Sequence, residues 1–324
     1  MKFKWSIPLL ALLSLGLVSV LAKGEKDTTK KQKSWPIFRG NELQTGVAST
    51  KLPATLKQLW TFSAKEAIEG TPAIVDGVVY IGSYDGHVYA LDLKKGTEKW
   101  KYKAGPIMVP VSYHNGRVYV GDEDGDFHCI DAKKGTGIWK ISTEVEITSG
   151  AAFSGDNILF GTGGEELICV SSAGKRLWKF TVEGGPVKAT PSIIGDRTFV
   201  AGCDSTLHVI DIKTGKEVSS VELEGQVAST AALDKDRLYV GTMTDQVLAI
   251  DWKKGNIPWR FRPKRGRMAF FASVALTEKS VIAGCRNRRI YSLDRTKGTE
   301  NWSYITKDRI ESSPVVVGDR IYAA

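Results

Sequence analysis

One stretch recurs along this chain at a near-constant interval, and the recurrence restricts the fold more than any other feature. Val79–Trp100 reads VYIGSYDGHVYALDLKKGTEKW. Val118–Trp139, VYVGDEDGDFHCIDAKKGTGIW, and Leu238–Trp259, LYVGTMTDQVLAIDWKKGNIPW, repeat it. Tryptophans fall at Trp60, Trp100, Trp139, Trp178, Trp259 and Trp302, with Ser219 at the missing beat, a spacing of about 40 residues. Ahead of the beats stand Asp92 and Gly96, Asp131 and Gly135, Asp211 and Gly215, Asp251 and Gly255, and Asp294 and Gly298. Before Trp178 the aspartate gives way to Ser171 and Ser172, and only Gly174 remains. A period of roughly 40 residues is that of a four-stranded propeller blade.

Each unit has the same physical logic. In the first, Thr71–Val75 is a short apolar strand, Asp76-Gly77 a hairpin turn and Val78–Gly82 a second strand. Asp85-Gly86 turns again, His87–Leu93 alternates as a third strand, Lys94–Gly96 turns, and Glu98–Tyr102 is the outer strand. Asp-Gly supplies the positive φ that tight hairpin turns need. Such a sheet must have its faces covered, and radial stacking of neighbours covers them. The tryptophan is expected to pack on the next blade, with the Asp and Gly fixing the turn before it. These are structural roles, not catalytic ones.

The fold class expected is therefore all-β: a propeller of antiparallel four-stranded blades, six complete repeats from Thr71 to Trp302 plus a partial one. Leu59–Phe62 resembles the outer strand of a blade whose other strands come from elsewhere, and Ser312–Ala324 begins a further unit. Pairing the N-terminal outer strand with the C-terminal inner strands would close a ring of seven or eight blades in a longer chain. Ahead of the repeats, Lys2 and Lys4 precede the apolar run Ser6–Ala22, the pattern of a signal peptide. Residues 23–34 read as a basic polar tether, 35–56 as a lead-in, and 57–324 as the propeller, its last blade incomplete. No cysteine precedes Cys129, so the signal offers no lipid acceptor. Cys129 and Cys169 occupy equivalent repeat positions, as do Cys203 and Cys285. Equivalent positions in a radial array lie too far apart to bridge, so four isolated thiols are expected.

The pattern V-Y-x-G-x-x-D-G-x-x-Y-A-L-D-x-x-x-G-x-x-x-W, whole at Val79–Trp100, resembles the repeat of quinoprotein-like (PQQ-repeat) β-propellers. The resemblance runs from about Lys57 to the end. The lead-in Trp35-Pro-Ile-Phe-Arg-Gly-Asn, followed by Thr45-Gly46, is similar to that of many exported members. Among these the chain looks most like BamB-type outer-membrane assembly factors. That resemblance implies an exported protein of the periplasm or cell envelope, monomeric, with protein partners and membrane contact only through an uncleaved signal or the tether.

The same resemblance raises a quinone-dependent dehydrogenase, which would bind pyrroloquinoline quinone with calcium. Members of that class use a vicinal Cys-Cys pair, calcium held by carboxylate and amide ligands, and an aspartate base. No Cys-Cys occurs here, and no stretch maps onto the ligands or the base. No cofactor, metal or catalytic residue is therefore assigned. His87, His114, His128 and His208 suggest no triad. Gly161–Gly164 is followed by strand rather than helix, which excludes a dinucleotide loop. Asp122–Asp126 has Gly125 where Gly86 stands and reads as a charged hairpin rather than a calcium loop. A carbohydrate- or cell-wall-binding propeller remains an alternative without a distinctive feature.

Charge placement is more informative. The turn between second and third strands and the loop into the next blade open on one face. On that face the second and third blades are acidic: Asp122, Glu123, Asp124, Asp126, Glu144, Glu146, Glu165 and Glu166. The sixth is basic: Arg262, Lys264, Arg265 and Arg267 in its approach loop, and Arg286, Arg288 and Arg289 in its turn, with Phe270 and Phe271 alongside. Arginine with aromatics is what interface cores favour. The expected function is a non-catalytic scaffold for protein–protein contact through these residues. Nucleic acid is excluded for an exported protein.

Overall fold

A computed structural model describes residues 34–324; the signal-peptide and tether expectations for residues 1–33 lie outside the described residues. The chain folds into six four-stranded antiparallel sheets and one of three strands. Blade 1 is Ala73–Val75, Val78–Ser83, His87–Asp92 and Glu98–Lys103. Blade 2 is Ser112–His114, Arg117–Gly121, Asp126–Asp131 and Gly137–Ser142. Blade 3 is Ala152–Ser154, Asn157–Gly161, Glu166–Ser171 and Arg176–Thr181. Blade 4 is Ser192–Ile194, Arg197–Ala201, Thr206–Asp211 and Glu217–Glu222. Blade 5 is Ala232–Leu233, Arg237–Gly241, Val247–Asp251 and Asn256–Phe261, and blade 6 is Ala275–Leu276, Ser280–Cys285, Arg289–Asp294 and Glu300–Ile305. Among the described residues no helix is long and apolar enough to cross a membrane.

Burial grades outward within a blade. The middle strands are almost wholly buried, whereas Glu98–Lys103 alternates exposed and half-buried. Each fully buried aliphatic or aromatic side chain contributes about 1.5–3 kcal/mol, so adjoining blades are held mainly by these faces. The tryptophans seal the outer seams. Trp100 lies on Gly135, where a Cβ would stand 2.6 Å from the ring. Gly135 also has φ 69°, so the turn and the close approach both require glycine. The Trp100 indole N–H donates to the Ala132 carbonyl at 3.0 Å. Trp60, Trp139, Trp178 and Trp259 repeat the bond to Leu93, Ser172, Ile212 and Arg295 of the next blade.

The missing beat leaves Gly255 uncovered, and an indole reaches blade 4 from the opposite side instead. Ser219 leaves open space over Gly255. Trp252, from the blade 5 turn, reaches back to blade 4 and meets Phe199 edge-on at 5.1 Å. Its indole nitrogen has no hydrogen-bond partner.

Closure differs from the expectation. The strand that joins the two ends is Val47–Ala48, which pairs in parallel with Val316 and Val317 on the inner side of Val315–Val317. Arg320–Tyr322 completes this seventh sheet. Leu59–Phe62 forms no strand. It holds an outer strand's place on blade 1 through Trp60 and through Phe62, 4.9 Å from Tyr89. The lead-in is therefore part of the propeller rather than a segment ahead of it.

Its path explains why. Trp35 exchanges backbone bonds with Ile74, at 2.7 and 2.8 Å. The N–H groups of Tyr113, Ile193, Leu233, Leu276 and Val316 then donate to the carbonyls of Pro36, Glu42, Leu43, Thr45 and Gly46. These donors hold one equivalent position on the innermost strands of successive blades, with blade 3 the exception. A buried backbone donor must find an acceptor, and the lead-in supplies acceptors around the axis.

All four cysteines are free, and Cys129, Cys169 and Cys285 are buried. Burial pushes the Cys169 thiol up to about 12. Cys129 and Cys169 are equivalent, but Cys285 closes a strand whereas Cys203 lies two residues beyond one, so that pair is offset by one position.

Candidate interaction face

The basic loops of blades 5 and 6 do open on one face, but their charges are not equally available. Asp245, nearly buried, holds Arg262 at 3.3 Å and Arg267 at 3.8 Å. Arg286 pairs with Glu311 and lies 4.3 Å above the Phe271 ring. Arg289 donates to Ser303 at 3.3 Å. Lys264, Arg265 and Arg288 have no ion-pair partner among the described residues. Arg288 also has φ 63°, where its counterparts in blades 1 and 2 are Gly86 and Gly125. A non-glycine residue there is strained by about 1 kcal/mol or more. Lys264, Arg265 and Arg289, with Tyr291, Glu300 and Ser303, border a cleft of about 270 Å3. Phe270 does not belong to the face. It is 1% exposed and packs in the blade 5–6 core, so of the two phenylalanines only Phe271 reaches the surface.

The acidic sector divides in the same way. Asp122 is 1% exposed and accepts from His128 and from the N–H groups of Gly105 and Asp126, each at 2.8 Å. Burial works against its ionisation, but these hydrogen bonds outweigh it and hold the carboxyl below the usual range. Asp126 pairs with Lys140 at 2.6 Å and Glu166 with Lys179 at 2.5 Å. Asp122, Asp126 and His128 bring ligand atoms within 4.8 Å of one another. Among the described residues, their hydrogen bonds tie the hairpin to itself and to Gly105.

On the same face lies a cup of about 250 Å3, lined in part by Phe38. Its wall includes Thr190, Thr230, Ser273 and Ser313, one from each of blades 4 to 7. Their hydroxyl oxygens accept N–H bonds from Gly150 at 3.2 Å, Thr190 at 2.9 Å, and Thr230 and Ser273 at 3.0 Å each. Glu69, Lys188 and Phe271 reach the rim. Sequence reading missed this ring, although hydroxyl residues recur there at the repeat period. It also missed the role of Arg39. That side chain is 2% exposed and donates to the carbonyls of Val274, at 3.0 Å, and Pro314, at 2.6 Å. It has no carboxylate partner, and burial brings its pKa down to about 9. On the opposite face, a cleft of about 600 Å3 is lined by Asp234, Asp236, Arg237, Lys253, Glu278 and Arg295 among others. Its charges are largely spent on one another: Arg295 binds Asp234, and Lys253 binds Asp236 at 2.9 Å.

The cup does not fit a quinone with calcium. Its wall offers hydroxyls, one carboxylate and one ammonium, whereas calcium takes six to eight oxygens, mostly carboxylate and carbonyl. The described cysteines stand singly, without a vicinal pair.

Repeats, blades and axial lead-in together define a β-propeller of the PQQ-repeat class. Within that class the chain belongs to the family described as outer membrane protein assembly factor BamB, whose profile matches residues 49–125, 123–218 and 174–324. BamB of Salmonella typhimurium is 33% identical over 63% of this chain and 56% of that protein. The serine/threonine-protein kinase AfsK of Streptomyces griseus is 31% identical over 80% of this chain and 33% of that protein. The chain thus spans from a third to little more than half the length of these relatives. The crystal structure of BamB from Moraxella catarrhalis superposes with a TM-score of 0.70 at 19% identity, covering 82% of this chain and 84% of that one. A europium-containing methanol dehydrogenase superposes at 0.73 with 14% identity, over 88% and 80% of the two chains. At such identities the likeness is one of fold, and one fold hosts kinase-linked, dehydrogenase and assembly proteins alike.

Proposed function

We propose that this protein is a non-catalytic scaffold of the cell envelope that holds a protein partner in outer-membrane protein assembly. Family membership carries the reading. It is supported by the basic sector, where Lys264, Arg265 and Arg288 have no ion-pair partner among the described residues and Arg286 covers the Phe271 ring. Arginines with an aromatic ring are the composition of an interface hot spot. An exported location accords with this role.

The test is affinity capture from cell-envelope extract, with the full chain and a Lys264→Glu/Arg265→Glu/Arg288→Glu variant as baits. These exposed side chains make no hydrogen bond or ion pair among the described residues, so the variant is expected to keep the fold, which a thermal melt checks. Recovery of β-barrel assembly proteins by the parent and not by the variant is the expected result. Equal recovery by both would place the contact on another face.

A further inference from the structure

We propose that the hydroxyl-lined cup receives a carboxylate side chain from an acidic peptide segment laid across the basic loops. This inference rests on the scaffold reading and adds the chemistry of the partner. Thr190, Thr230 and Ser273 are 3%, 3% and 4% exposed. Each spends an oxygen lone pair on a neighbouring backbone N–H, and none donates its own proton to an acceptor on the described protein. A hydroxyl always has a proton to donate, and a buried donor without an acceptor costs about 1–3 kcal/mol. With the half-buried Ser313, four hydroxyl residues line one small space. Hydroxyl protons that find no acceptor on the described protein call for a ligand rich in acceptors, and a carboxylate offers acceptors only.

Size and surroundings narrow the choice. The cup holds about 250 Å3, less than the 300–1,000 Å3 of ordinary small-molecule sites. It suits one short side chain better than a whole ligand. Lys188 stands exposed at the rim without an ion-pair partner among the described residues and supplies positive charge. Phe271 forms part of the wall while Arg286 covers its ring at 4.3 Å. The cup and the basic sector are therefore one aromatic ring apart. A segment with several acidic residues can reach both at once. Glu69, also at the rim, opposes an incoming carboxylate and lowers the affinity.

Fluorescence anisotropy with a labelled hexaglutamate peptide, and hexaglutamine as control, tests this on the full chain. The glutamate peptide should bind and the glutamine peptide should not. Lys188→Gln, which breaks no side-chain hydrogen bond or ion pair among the described residues, should weaken binding roughly ten- to hundredfold, the effect of one charged hydrogen bond. Ser313→Ala should weaken it too, with a thermal melt to verify folding, and Glu69→Gln should tighten it. If Arg265→Glu/Arg288→Glu abolishes binding while Lys188→Gln and Ser313→Ala leave it unchanged, the cup has no part and the basic face stands alone. If the parent fails to bind hexaglutamate, the acidic-segment proposal is overturned, while envelope capture still decides the scaffold reading.

Discussion

At the scale of single residues, Trp252 shows how a repeat tolerates the loss of its marker. The indole that Ser219 cannot provide comes from the next blade's turn, at the price of an indole N–H with no partner. Trp252→Ala should therefore destabilise the protein, by up to the ~3–5 kcal/mol typical of large aromatic truncations. Ser219→Trp alone should stabilise the protein, because its ring can lie in the open space over Gly255. Ser219→Trp with Trp252→Leu should recover most of the loss, as read in urea melts. Asp122 makes a second residue-scale prediction. Its folded pKa lies below its unfolded value near 4, so its contribution is full above that pH and is lost as pH falls through the folded value. Asp122→Asn should cost about 1–3 kcal/mol at neutral pH and flatten the acid limb of the stability profile. An unchanged acid limb would mean that other carboxylates set it.

At the scale of elements, the blades were legible and the closure was not. Period-two alternation, Asp-Gly turns and the tryptophan beat state each four-stranded sheet locally, because hairpins are formed by neighbours in sequence. Val47–Ala48 carries no such signal. Its two residues pair across nearly the whole chain, and only the shape of the inner ring selects them. Phe270 and Phe271 are likewise indistinguishable in sequence, since adjacent side chains in an extended segment face opposite ways and only packing says which is inside. Asp122 read as surface charge because a hairpin carboxylate and a buried cap share one letter. Arg39 is the test of the axial element. It ties blades 6 and 7 through Val274 and Pro314. Arg39→Met should speed hydrogen exchange at Leu276 and Val316 while leaving the blade 3 amides protected. Uniform exchange changes would show the lead-in to be energetically inseparable from every blade.

At the scale of the whole molecule, charge sets the behaviour. The sequence carries a net +9, and Lys264, Arg265 and Arg288, without ion-pair partners among the described residues, cluster in the blade 5–6 loops. Association through them should be steered by an opposite charge and screened within about 8–10 Å at 0.1–0.15 M salt. The association rate of a captured partner should therefore fall steeply as ionic strength rises, while its dissociation rate changes little. A salt-independent association rate would argue against the basic sector.

The lead-in also dictates an order of events. Of the described chain it leaves the ribosome first, yet its last acceptors are filled only when Leu276 and Val316 exist. Bringing Val47 to Val316 closes a loop of most of the protein, and such long-range closure is slow. Until then, a row of backbone carbonyls stands unpaired beside half-built blades, a state open to wrong strand pairing. A protein built this way has its slowest folding step at its oldest residues, and its ring is secured only by the return of the beginning to the end.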